Sequence, residues 1–324
     1  GRGLSMTAAP KKALVLAAGL GTRLRPLTLA CPKPLMPLWN VPLLERILRL
    51  LEAWGVEEVA VNLHWRASEI RRFLEARQGA ARLRFSHETE ILGTGGALRP
   101  VESFLSDGPF WVVNADIAAA VDPAPLLRAF AAGDGLAAAW LEPKKGPRTV
   151  EADRRGRITC YRSPTPGVDG TFTFCGLQLV SPRIFSFLPD RPFSTLVEAY
   201  EQAMESNLFV DGVAEKDSYW DDAGTLEAYR RIHADVKRLA RQGKRGGDGY
   251  AAQADRCGAE DARFFCVSET ASVAADVEGR DSVVFGDAVV LPGSALRDAV
   301  VSGGCVGGTL EGVACIAASA ACDK

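Results

Sequence analysis

The feature that most constrains this chain is one continuous stretch near its start, Leu14-Val-Leu-Ala-Ala-Gly-Leu-Gly-Thr-Arg-Leu-Arg-Pro-Leu-Thr28, followed by Pro32-Lys33-Pro34-Leu35. An apolar run of strand type delivers the backbone to a glycine-rich turn. There Gly19 and Gly21 let main-chain N–H groups approach an anion closely. Arg23, Arg25 and Lys33 add cationic side chains, so the segment reads as a cradle for a polyphosphate. Two other phosphate motifs fail on residues: a Walker-type loop needs Gly-Lys-Ser/Thr where Gly21-Thr22-Arg23 stands, and a dinucleotide fingerprint needs a third glycine at Leu24. A bare Gly-x-Gly after a strand is weak evidence; the appended Arg and Pro-Lys-Pro make it specific.

From Lys12 onward, short apolar runs alternate with helical patterns, the mark of βαβ units and an open, largely parallel sheet. Leu44, Ile47, Leu48 and Leu51 set a helical period over Leu43–Trp54, stopped by Gly55. Val56–Leu63, Arg82–Ser86 and Phe110–Asn114 read as strands, with a helix over Ser68–Arg77 capped by Ser68. The middle third (Gly135–Leu141, Arg157–Arg162, Thr171–Val180) is strand-like with fewer helices, which predicts a mixed sheet. Helices return at Thr195–Met204 and Leu226–Leu239. Residues 243–255 carry no apolar period and read as a linker, which divides the chain into a large domain over 12–242 and a small domain over 256–324. In the latter, Val284, Val290 and Leu296 recur every six residues between turn-like glycines, the pattern of a short left-handed β-helix of hexapeptide coils.

A formal charge of -2, from 38 basic and 40 acidic residues without a dense run, gives no footprint for nucleic acid or an anionic membrane. No apolar run approaches the roughly 18 residues of a membrane span, and Gly1–Pro10 lacks the layout of a signal peptide, so the expected location is cytoplasmic. Gly1–Ser5, ahead of Met6, read as a cloning remnant. The eight cysteines have no Cys-x-x-Cys pair and read as buried thiols rather than a disulfide or metal framework.

With these motifs in place, the chain resembles the nucleotidylyltransferase family that makes NDP-sugars, whose signature Leu-Ala-Ala-Gly-x-Gly-Thr-Arg-Leu-x-Pro-Leu-Thr and Pro-Lys-Pro-Leu it matches at every fixed position. Leu92-Gly93-Thr94-Gly95-Gly96-Ala97 resembles the family's base-binding turn. Val112-Val113-Asn114-Ala115-Asp116 and Trp220-Asp221-Asp222-Ala223-Gly224-Thr225 follow in order, so the resemblance covers residues 12 to 240. It implies a doubly wound, Rossmann-like α/β nucleotide-binding domain with a mixed sheet, acting on an NTP and a sugar 1-phosphate with Mg2+. Leu16, Ala18, Gly19, Gly21, Thr22, Gly93 and Gly96 would hold the nucleotide, and Asn114 and Gly176 the sugar. Arg23 would hold the leaving pyrophosphate, Lys33 the phosphates near the reacting centre, and Asp116 with Asp222 the metal. Trp-x-Asp-x-Gly spacing selects Asp222, and Asp221 would then face the other way. One departure is Ala115, where many members have glycine. Leu141-Glu-Pro-Lys-Lys-Gly-Pro lacks the Val-Glu-Lys-Pro arrangement of larger glucose-1-phosphate enzymes; with Thr171-Phe-Thr-Phe-Cys-Gly176 it is more similar to the compact branch of muramate-phosphate uridylyltransferases and mannose-1-phosphate guanylyltransferases.

The implied chemistry needs little covalent help. A sugar phosphate oxygen is already anionic near neutral pH, so positioning and charge neutralisation suffice. His64, His87 and His233 have no nucleophile or carboxylate partner in sequence and read as structural. Hexapeptide acyltransferases generally use a histidine base, and none occurs after position 233, so the C-terminal coils read as an assembly element, a route to a homo-oligomer. The alternatives are a non-catalytic regulatory or scaffold relative, which usually loses the Arg, Lys or aspartates retained here, a bifunctional acyltransferase, and a phosphonate or phosphocholine acceptor.

Overall fold

The computed structural model describes residues 9–133, 135–250, 254–258, 260 and 263–312, with the backbone of 314–315. Two compact units emerge among the described residues, each discontinuous in sequence: those within 9–19, 47–117 and 121–220 form the first, and those within 20–46, 118–120 and 221–312 the second.

The first unit is built on a nine-stranded mixed sheet. Four strands run parallel in the order Arg82–His87, Glu58–Leu63, Lys12–Leu16, Phe110–Asn114, so the strand that opens the chain lies in the middle. Its Ala13, Leu14 and Val15 are fully buried, as a strand covered on both faces requires. Thr171–Val180 pairs antiparallel with Phe110–Asn114 and with Ala137–Glu142, producing the mixed sheet that the middle third predicts. Its register shifts between Phe174 and Gln178, around Gly176, whose φ of 70° is left-handed. Strand order reverses beside Lys12–Leu16, so the carboxyl ends carrying Leu16 and Asn114 sit at the switch point where open α/β sheets bind ligands. The helix expected over Ser68–Arg77 spans Ala67–Ala76 and is not capped by Ser68. Arg66 takes the cap position in a left-handed conformation, with no side-chain cap bond.

In the second unit, the helix Leu226–Arg241 packs with an aromatic cluster in which Trp39 meets His233, Tyr250 and Phe264. Residues 243–250 run as successive turns, and Lys237 and Asp255 form a salt bridge of 2.5 Å between fully buried side chains. Lys237 also donates to the Arg263 carbonyl, so the buried charge keeps more than one partner. Beyond Phe264, short strands stack into three parallel sheets, the form of a three-sided β-helix. Val284, Val290 and Leu296 all face its core. The first coil falls short of three full hexapeptides, pairing Phe265 with Ser282, Ser272 with Val289 and Glu278 with Ala295. After Leu296 the six-residue period breaks: the next core positions, Val301, Val306 and Leu310, come closer together, where Gly303, Gly304 and Gly308 take left-handed turns. Among the cysteines, Cys175 and Cys266 are buried free thiols; Cys31, Cys160 and Cys257 are free but half-buried, and Cys305 is disulfide-bonded, against the thiol expectation. Among the described residues no helix is long and apolar enough to cross a membrane.

Candidate active site

Within the first unit, the Lys12–Leu16 strand ends in Ala17, whose N–H donates to Asn62 Oδ1 at 2.7 Å. Asn62 donates in turn to Glu88 Oε1 at 2.8 Å, and the other oxygen of Glu88 accepts from the Leu92 N–H at 3.0 Å. This buried relay ties the turn after Leu16 to the turn at Leu92, and sequence reading missed it. Ala18 is buried and Gly19 exposed; a Cβ on Gly19 would meet nothing within 4 Å. The Leu92–Ala97 turn is the opposite case. The N–H groups of Gly95 and Gly96 donate to the Ser194 carbonyl at 2.9 and 3.2 Å, and Thr94 Oγ1 accepts from the Leu196 N–H at 2.9 Å.

At the end of its strand Asn114 rests on Gly176, where a Cβ would come within 2.4 Å of Asn114 Nδ2. Glycine at 176 is therefore a condition for the position of Asn114. The methyl of Ala115 is fully buried, and its N–H donates to the Leu16 carbonyl at 3.0 Å. Asp116 follows, half-buried.

Leu16 and Asn114 line a cavity of about 390 Å³ in this unit, with Thr94, Tyr161, Phe174 and Gln178 among its other walls. Tyr161 and Tyr200 stack with centroids 5.9 Å apart, and Tyr200 donates to Gln178 Oε1 at 2.6 Å. Burial pushes the Tyr161 hydroxyl well above the usual phenol range, with Tyr200 and Glu201 adding to it, so it stays neutral. Of these residues sequence reading singled out only Leu16 and Asn114. Gln178 sits in an apolar strand and Tyr161 in a bend, with no local signal to mark them.

Within the second unit, Gly21 adopts φ 63° ahead of the short helical turn Thr22–Leu24. Its carbonyl accepts from Thr28 Oγ1 at 2.8 Å. Arg23 and Lys33 both reach Asp222: Arg23 Nη2 lies 3.2 Å from one carboxylate oxygen and Lys33 Nζ 3.2 Å from the other. Lys33 is 5% exposed, whereas the Asp222 side chain is 36% exposed, so the cluster has a sealed base and an open face. A Cβ on Gly224 would lie 2.5 Å from Arg23 Nη2, so Gly224 keeps that approach open. Asp221 turns the other way, 3% exposed and held by two bonds from Arg231 at 2.9 and 3.1 Å, as strand alternation requires.

The histidines are bound into the fold. His233 is completely buried, and its ring nitrogens engage the Tyr229 carbonyl at 2.9 Å and the Trp39 N–H at 3.3 Å. Burial lowers its pKa to about 4, so it is neutral at pH 7. His64 Nδ1 meets the Glu88 carbonyl at 2.9 Å.

The fold is that of the open α/β class, in which ligands meet the carboxyl ends of the parallel strands. The nucleotidyl transferase family model matches residues 12–163. The chain is 34% identical over 208 residues to the N-acetylmuramate alpha-1-phosphate uridylyltransferase of Caulobacter vibrioides, covering 59% of this chain and 84% of that protein. It is 30% identical over 228 residues to mannose-1-phosphate guanylyltransferase 1 of Arabidopsis thaliana, covering 67% of this chain and 62% of the relative. A crystal structure from Bacillus anthracis, described as a candidate glucose-1-phosphate thymidylyltransferase with a sucrose, shares the fold at a TM-score of 0.61 and 20% identity, over 69% of this chain and 94% of that one. The chain belongs to the nucleotidyl transferase family. It spans just under two thirds of the length of the guanylyltransferases it matches, 62% and 61% for two of them.

Proposed function

We propose that the chain transfers a nucleotidyl group from an NTP to a sugar 1-phosphate, forming an NDP-sugar and pyrophosphate. The observation that carries this reading is the convergence of Arg23 and Lys33 on Asp222, two cations and a carboxylate grouped in the second unit. An oxygen of the sugar phosphate attacks the α-phosphorus, a new P–O bond forms in line, and the bond to the β-phosphate oxygen breaks to release pyrophosphate. Arg23, on the exposed side, holds the departing pyrophosphate; buried Lys33 neutralises charge near the reacting phosphorus. The glycine turn carrying Leu16, Ala18, Gly19, Gly21 and Thr22 accepts the triphosphate. Gly93 and Gly96 shape the nucleotide side, and Asn114, seated on Gly176, takes the sugar.

Asp116 and Asp222 are the residues that would hold Mg2+. Asp222 already offers each carboxylate oxygen to a cation, and hard oxygen donors suit a metal that keeps several waters and takes one or two carboxylates plus phosphate oxygens. When bound, the metal supplies neutralisation of the donor and acceptor phosphates.

Catalysis occupies residues 12–242 in this reading, in the cytoplasm where NTPs are found, and the C-terminal coil assembles copies of the chain. A chain ending at 255 that keeps the same number of subunits by light scattering overturns that assembly role. The reaction itself is tested by pyrophosphate release with Mg2+ across four NTPs and a panel of sugar 1-phosphates, with Asp116→Asn as the blank. Turnover that needs the aspartate is expected; nucleotide binding without turnover on any pair defeats the proposal.

A further inference from the structure

Beside the Asp222 cluster of the second unit lies an ion pair to which the proposed reaction gives no part. Asp221 and Asp222 close the strand Tyr219–Asp222, and strand alternation sends their carboxylates to opposite sides. On one side Asp222 meets Arg23 and Lys33. On the other, Asp221, its side chain 4% exposed, accepts from Arg231 Nε at 3.1 Å and Nη2 at 2.9 Å, one bond to each carboxylate oxygen. Such a fork fixes direction as well as distance, which a single charge contact does not. A buried ion pair gains little stability over apolar side chains of the same volume, so stability alone does not account for a carboxylate at 221.

The chain between the two partners is short and held at both ends. Residues 223–225 lead from the strand to the helix Leu226–Arg241, where Thr225 Oγ1 caps the first turn by accepting from the Ala228 N–H at 3.1 Å. Arg231 lies in the second helical turn and reaches back to the strand end. A backbone rotation that swung the Asp222 carboxylate away from Lys33 would have to pull Asp221 off the fork or move the helix. The strand itself supplies little restraint: it belongs to a two-stranded sheet, so among the described residues its ladder holds it from one edge. From this geometry we propose that Asp221 and Arg231 are positioning residues, which hold the Asp222 carboxylate in the orientation for metal binding. This rests on the transferase reading above and deepens it.

The test uses the full chain and Arg231→Lys, which keeps a cation beside Asp221 but cannot form the fork. Asp221→Asn is a second variant, and Arg238→Lys, at a residue of the same helix paired with Asp235, is the control. Pyrophosphate release is measured against Mg2+ concentration, Mn2+ binding by loss of the free-ion electron paramagnetic resonance signal, and folding by urea. Arg231→Lys is expected to fold normally, to need about five- to tenfold more Mg2+ for half-maximal rate and to bind Mn2+ more weakly by a similar factor, the loss a sub-ångström misplacement brings. KM for the sugar phosphate should stay within about twofold, because the acceptor's own contacts are untouched. Asp221→Asn should shift both metal readouts in the same direction, and Arg238→Lys neither. A purely structural pair predicts lower stability with the metal dependence of the folded enzyme unchanged; that result, with turnover in wild type, removes the positioning role and leaves the transferase. No turnover on any NTP, with Mn2+ bound more weakly by Arg231→Lys than by wild type, removes the transferase reading and leaves the positioning role. A wild type that neither turns over nor binds Mn2+ removes both.

Discussion

Two glycine-rich turns, Gly19-Leu-Gly21 and Gly93-Thr-Gly95-Gly96, look alike in sequence but carry glycine for different reasons. Around Gly19 there is open space, and the turn continues into exposed Arg23. Around Gly93, Gly95 and Gly96 there is protein: a Cβ on these would lie 2.4, 2.8 and 2.2 Å from Ser194 O, Ser194 Oγ and Pro192 O respectively. At Gly19 the first turn is exposed and unpacked, whereas the second is the seat of the 192–195 segment and spends two of its N–H groups there. A glycine motif therefore identifies a close approach without saying what approaches. In the second turn the nucleotide role stays with the proposal, while the packing role stands on the contacts themselves.

The largest effect expected from this contrast is on rate. Arg23→Ala, at the exposed end of the first turn, should lower kcat about 100- to 1,000-fold, the loss typical of removing one group that stabilises transition-state charge. Its half-exposed ion pair with Asp222 is worth less than about 1 kcal/mol, so urea unfolding should barely change. A large stability loss with intact turnover would mean that the first turn, like the second, is mainly structural. Next comes Gly96→Ala, expected to cost about 2–4 kcal/mol in urea unfolding, because the added methyl collides with backbone rather than a mobile side chain. Unchanged stability there would collapse the distinction between the turns.

How much of this was legible in sequence follows the same line. The first turn could be read because strand, glycines and cations are contiguous; the Trp-x-Asp-x-Gly spacing of the resemblance selects Asp222 over Asp221, and strand alternation then turns Asp221 the other way. The mixed sheet was also legible, in the loss of helical periods after Gly135. What could not be read depends on pairings made only by folding: Thr94 meets Leu196 across 102 residues, and Asn62, Glu88 and Gln178 are polar residues inside or beside apolar runs that give no local sign of their partners. The Ser68 cap failed because Arg66 took the left-handed position ahead of the helix. The hexapeptide period held only to Leu296, since later coils close through glycine turns that shorten each side.

Gly21 and Gly19 then divide the first turn itself. Gly21 is left-handed, and a Cβ there would lie 2.9 Å from Thr28 Cγ2 and 3.2 Å from Lys33 Cβ, so Gly21→Ala should cost about 1–2 kcal/mol in urea unfolding through strain and crowding. Gly19 has neither a left-handed φ nor a neighbour, so Gly19→Ala should leave stability within about 0.5 kcal/mol. Under the proposed function its effect should fall on substrate alone: a methyl beside a bound triphosphate would hold it off by a fraction of an ångström, and misplacement on that scale costs about tenfold in kcat/KM. Measuring both quantities on the same preparation is decisive. Lost activity with intact stability means that the space at Gly19 belongs to a ligand, and intact activity with intact stability means that glycine there serves neither the fold nor the substrate.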